Sequence, residues 1–84
     1  MDNPLALQVL TNALDGTSAG SVEAPLAMTA LDQRGLLSPF VDPVATGAAV
    51  ASAVDTFLAL PPGTPGPTLP QTVLTTLQGL GAVK

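Results

Sequence analysis

Cysteine, histidine, tryptophan and tyrosine are all absent from this 84-residue chain, and phenylalanine occurs twice. Without cysteine there is no disulfide and no thiolate zinc site. Without histidine, cysteine or tyrosine, the side chains that most often serve as general acids and bases near neutral pH are missing. Serine and threonine are plentiful, but a hydroxyl nucleophile needs an activating base, and the sequence offers none. Scarce aromatics also thin the core, because they carry the largest burial per residue. Ordering a chain costs about 1–2 kcal/mol per residue in backbone entropy alone. Small chains offset this with disulfides, a metal or association. Association is what remains here.

Positive charge is nearly absent. Arg34 and Lys84 are the only basic residues, and the net charge is −4. Nucleic-acid binding needs several phosphates neutralised, so nucleic acid is excluded as a partner, and an anionic membrane surface with it. Charged residues make up 10% of the chain, against about 25% in an average globular protein. Apolar residues make up 46%, the opposite of a disordered composition. The balance suits a chain that buries surface against other chains.

The opening Met1-Asp2-Asn3-Pro4 lacks the basic region of a secretory signal, so none is expected. Residues 44–60 are the one candidate membrane span. They fall short of the ~20 residues required, and Asp55 within them would cost about 2.5–3.5 kcal/mol. A membrane-associated subunit with 44–60 inserted is therefore an alternative reading, and membrane association is not the expectation.

What is present reads as helix. Asn3-Pro4 is a cap followed by a residue suited to the first helical position. Leu5, Val9, Leu10 and Ala13 then share one face, and Asp15-Gly16 is the expected stop. A second helix is expected from about Glu23 to Arg34, with Pro25 confined to its first turn. Deeper in the helix, Pro25 would cost about 3 kcal/mol. Leu26, Ala30 and Leu31 form its inner face, and Gly35-Leu36 a left-handed stop with an apolar contact behind it. "PLALQVL" at 4–10 and "PLAMTAL" at 25–31 suggest two similar helices paired as a hairpin.

Between Pro39 and Pro43 lies Phe40, expected to tuck under the helices; anchoring into a neighbouring subunit is the other reading. Asp42-Pro43 starts a third, Ala-rich helix running to about Leu60. Val50, Val54, Phe57 and Leu58 form its apolar stripe, and its small residues suit a tight helix pair or a symmetric contact.

Residues 60–70, "LPPGTPGPTLP", hold five of the nine prolines. Proline fixes φ and removes amide donors, which predicts an extended arm of about 30 Å. The helix after it, with Val73, Leu77 and Leu80 in its stripe and Leu74 beside them, is too short to be stable alone. The expected architecture is all-α: a small helical domain over 1–60, an extended arm over 61–70 and a docking helix over 71–84. Pro61, Pro62, Pro65 and Pro67 of the arm are expected to contact a partner. So are Phe40, Val50, Val54, Phe57, Leu58, Val73, Leu77 and Leu80.

No constellation of catalytic residues emerges. Asp2, Asp15, Glu23, Asp32, Asp42 and Asp55 are scattered. Capping accounts for Asp42 and solvation for most of the others. "GTPGP" lacks the Lys and hydroxyl of a phosphate-binding loop, and no acids recur at calcium-loop spacing. No catalytic, cofactor or metal residue is expected. A short, cysteine-free, acidic chain with the arm "LPPGTPGPTLP" resembles small auxiliary virion proteins of tailed bacteriophages, of the decoration or minor-capsid kind. That resemblance implies a multi-copy or homo-oligomeric structural protein on a capsid lattice, located in the virion. An accessory subunit of a cellular, cytoplasmic complex is the alternative.

Overall fold

The computed structural model describes residues 3–84. Asp2 lies outside them. Four helices follow in order: α1 (Pro4–Ala13), α2 (Gly20–Gln33), α3 (Pro43–Leu58) and α4 (Leu69–Gly79). The protein is all-α. The one extended pairing among the described residues is an isolated antiparallel bridge between Leu37 and Val83.

Each helix packs against its neighbours in chain order, and α4 closes the ring against α1, with no contact across either diagonal. Hydrogen bonds at the two ends set the directions. At one end the Asn3 side chain donates to the Lys84 carbonyl, and the Lys84 amide donates to the Leu36 carbonyl. The starts of α1 and the ends of α2 and α4 therefore meet there. At the other end the Gly20 amide, opening α2, donates to Asp55 in the last turn of α3. The result is an up-down-up-down bundle.

The inward residues follow helical spacing. They are Ala6, Val9 and Leu10 from α1, Ala24, Ala27 and Leu31 from α2, Val50 and Val54 from α3, and Leu69, Val73, Leu74 and Leu77 from α4, with Ala82 behind them. These form one continuous core. The C-terminal helix therefore docks on its own chain, not on a neighbour, and 1–60 is not a separate unit. Val50, Val54, Val73 and Leu77 are fully buried in that core and are not available to a partner. Phe57 is half-buried against it. Leu58 and Leu80 are exposed, as are Pro61, Pro62, Pro65 and Pro67.

Capping follows the sequence closely. Asn3 accepts from the Ala6 amide, and Asp42 from the Val44 and Ala45 amides. Thr68 and Gln71 form a reciprocal capping box. α2 and α4 end in the same stop. Gly35 and Gly81 both have φ of +69°. Leu36 donates to Leu31 and Gly35 to Asp32, and Ala82 donates to Leu77 and Gly81 to Gln78, the two bonds of a Schellman motif. The strands leaving these stops then pair with each other.

Four expectations need correction. α2 begins at Gly20, three residues early, which puts Pro25 in its second turn. Pro25 and Ser21, whose carbonyl loses its amide donor, are both exposed, so the lost bond faces solvent. Leu26 is exposed, and Ala24 and Ala27 take the inward face. Phe40 does not tuck under the helices: Val41 takes the inward position and Phe40 is 94% exposed. The arm is not extended throughout. The Thr64 amide donates to the Pro61 carbonyl across Pro62-Gly63, with Gly63 at φ +81°, a type II turn. The arm ends at Thr68, where α4 starts.

Candidate interaction surface

The outward face of α3 carries no charge until Asp55 in its last turn. No charged residue lies between Asp42 and Asp55, and Val44, Ala45, Ala48 and Ser52 are all exposed. Surface helices ordinarily set charged and polar groups on that face. Val44 is 79% exposed.

Beside this face runs an open groove between α2 and α3, with a volume of about 350 Å³. Ser21, Ala24, Pro25 and Met28 line it from α2, and Pro43, Val44, Gly47 and Ala51 from α3. The groove exists because the helices touch through small residues. A Cβ placed on Gly20 would lie 2.1 Å from the Ala51 carbonyl oxygen. Ala24, Gly47 and Ala51 then form a shallow floor under Met28. Ser21 supplies the one hydroxyl.

Phe40 stands three residues before Pro43, on a frame tied down on both sides. The Ser38 amide donates to the Ala82 carbonyl at 2.7 Å, and the Ser38 hydroxyl accepts from the Phe40 amide. On the other side Val41 packs on the core and Asp42 caps α3. An aromatic held out by a fixed backbone loses little entropy on docking.

The remaining grooves are more polar or lie elsewhere. Gln8, Asn12, Gln33 and Arg34 dominate one between α1 and α2. Asn3, Gln71, Thr75 and Gln78 line one between α1 and α4. A third lies under the arm, between Phe57, Leu58, Leu60 and the prolines.

Of the expected partner-contact residues, none lines the α2–α3 groove; Phe40 stands three residues before Pro43, which does. Phe57, Leu58 and the arm prolines cluster at the opposite end. Sequence reasoning missed Pro25, Met28, Pro43, Val44, Gly47 and Ala51. The signal available was the charge-free run after Asp42.

Asp15, Glu23, Asp42 and Asp55 are engaged in structure. Glu23, read as solvated, is fully buried. Its two carboxylate oxygens accept from the Asp15 amide at 2.9 Å and the Gly16 amide at 2.7 Å. Asp55 accepts from Gly20 at 2.8 Å, capping a helix whose own N-cap, Ala19, has no side-chain acceptor. Asp15 accepts from the Ser18 and Thr17 hydroxyls; the Ser18 bond first, then the Thr17 bond, holds its carboxyl below the ordinary value. No group of three His, Cys, Asp or Glu among the described residues could hold a metal ion. No helix among them is long and apolar enough to cross a membrane; α3 has 16 residues. No protein-family model, curated protein or solved structure matches the chain.

Proposed function

We propose that the chain is a non-enzymatic structural subunit that works in multiple copies, with Phe40 of one copy seated in the α2–α3 groove of another. The observation that carries this reading is the 94% exposure of Phe40 on a fixed turn three residues before Pro43, which opens α3 and lines the groove. The occupant is a second copy because the chain carries both the exposed ring and, three residues on, the start of the groove lining, the self-complementary pair that a two-fold interface uses. An aromatic side chain buries about 150–250 Å². Two exchanged rings bury about 300–500 Å², and with the shallow groove they stay below the about 1,200–2,000 Å² of a specific interface. The expected dimer is therefore weak. Each copy carries −4, so copies repel, and added salt should strengthen their association.

In its finer form, the reading is a capsid-associated protein of a tailed bacteriophage that stabilises a shell. Length, acidic composition and the exposed Pro-rich segment support it. A structural subunit of a cellular complex would use the same surface.

Sedimentation equilibrium over a hundredfold concentration range tests the proposal. The native chain should self-associate, and Phe40→Asp should remain a monomer with the same helical circular dichroism. A native chain that stays monomeric throughout, or a Phe40→Asp chain that associates equally well, overturns it.

A further inference from the structure

At the opposite end of the bundle, Asp15 and Gly16 present successive amides to one carboxylate. Gly16 has φ of +88°, and the pair of N–H groups forms a small anion-binding concavity. Glu23, seven to eight residues onward, fills it. Asp–Gly is also the dipeptide most open to attack of a backbone nitrogen on its own side chain, because glycine offers no Cβ to hinder the approach.

We propose that Asp15–Gly16 is a latent site of spontaneous isomerisation to isoaspartate, kept closed by Glu23. In the reaction the Gly16 nitrogen bonds to the Asp15 Cγ. A carboxyl oxygen leaves as water, taking the carboxyl and amide protons, and a five-membered succinimide forms. Water then opens the ring at either carbonyl. One opening restores aspartate; the other leaves the main chain running through the side-chain carbon. No oxidant, reductant or metal is involved.

The fold opposes each step. The Gly16 nitrogen must swing out of the concavity, breaking its 2.7 Å bond to Glu23. The Asp15 carboxylate must leave the Ser18 hydroxyl at 2.6 Å and the Thr17 hydroxyl at 3.1 Å. It must also be protonated before it can lose water. Asp15 and Gly16 are themselves exposed, so water and space do not limit the reaction; the latch does. Once formed, isoaspartate adds a carbon to the main chain and sets a new free carboxylate beside Glu23. The concavity cannot re-form, and the α1–α2 turn stays unlocked.

The test is isoaspartate at position 15, read by fragmentation mass spectrometry of the 1–34 tryptic peptide after incubation at mildly acidic pH. The full chain is compared in buffer, in denaturing urea, and as Glu23→Gln and Ser18→Ala in buffer. Native chain should convert at least about tenfold more slowly than unfolded chain, in proportion to the fraction of time the turn is open. Glu23→Gln should move toward the unfolded rate while retaining helical circular dichroism. Should Glu23→Gln not fold, Ser18→Ala, which alters only the Asp15 side, should still convert several-fold faster than native. Equal rates for native and unfolded chain, or no acceleration in whichever variants fold, overturn the proposal.

Discussion

Gly20 has no room for a side chain. A Cβ there would meet the Ala51 carbonyl oxygen at 2.1 Å, a backbone atom that cannot swing aside. Gly20→Ala should therefore destabilise the bundle by at least the about 1–3 kcal/mol of an overpacked core, seen as a lower urea midpoint. Asp55 works at the same spot. Replacing it with alanine removes the only side-chain acceptor at the start of α2 and should cost about 0.5–2 kcal/mol by the same measurement. Asp15 predicts an acid response. Its carboxyl lies below the ordinary value in the fold because Ser18 and Thr17 donate to the ionised form. Its contribution is thus fully present above the unfolded value and is lost as pH falls through the lower, folded one. Ser18→Ala should narrow the stability difference between neutral and acidic solution, measured by thermal unfolding at both.

At the scale of the elements, the helix after the arm is integral. Leu69, Val73, Leu74 and Leu77 belong to the same core as Val50 and Val54, and Lys84 is bound to Leu36. Deleting residues 69–84 should abolish cooperative unfolding and most of the helical circular dichroism. A truncated chain that keeps a sharp transition would show that α1–α3 suffice. The arm is long because α4 must turn back along α3, and its type II turn at Pro61–Thr64 begins that return. Much of this level was legible. The caps at Asn3 and Asp42, the stop at Gly35 and the stripe through Val73 and Leu77 are local chemistry between residues close in sequence. The start of α2 was not legible: its cap comes from Asp55, 35 residues away, and no local pattern announces an acceptor that distant. The arm's proline content carried information about backbone stiffness but none about where the next helix lands.

For the molecule as a whole, the proposed association would couple stability to protein concentration. If copies exchange Phe40, the melting temperature of the native chain should rise with protein concentration. That of Phe40→Asp should not. A concentration-independent melting temperature for both would separate the fold from any assembly. The charge arrangement adds direction. Asp15 and Asp55 lie at the end of the bundle opposite Phe40, whereas at the Phe40 end Asp32 and Asp42 are offset by Arg34 and Lys84, so a two-fold contact through Phe40 brings together the less acidic ends.

The sequence by itself determined the all-α class, the caps at Asn3 and Asp42, the glycine stop at Gly35, and the scarcity of basic residues. Each depends on residue type and spacing within a few positions. Only the tertiary structure decided which apolar residues face inward and which face out. Leu26 and Phe40 read as core by composition, but Ala27 and Val41 took those places. Tight helix approach at Gly20 favours small side chains, and in the connection before α3 Leu36, Leu37 and Val41 pack on the core while Phe40 points out. Glu23 shows the same division. A carboxylate in a chain this acidic reads as solvated, and only the fold, by turning two amides toward it, makes it the buried keystone of the α1–α2 turn.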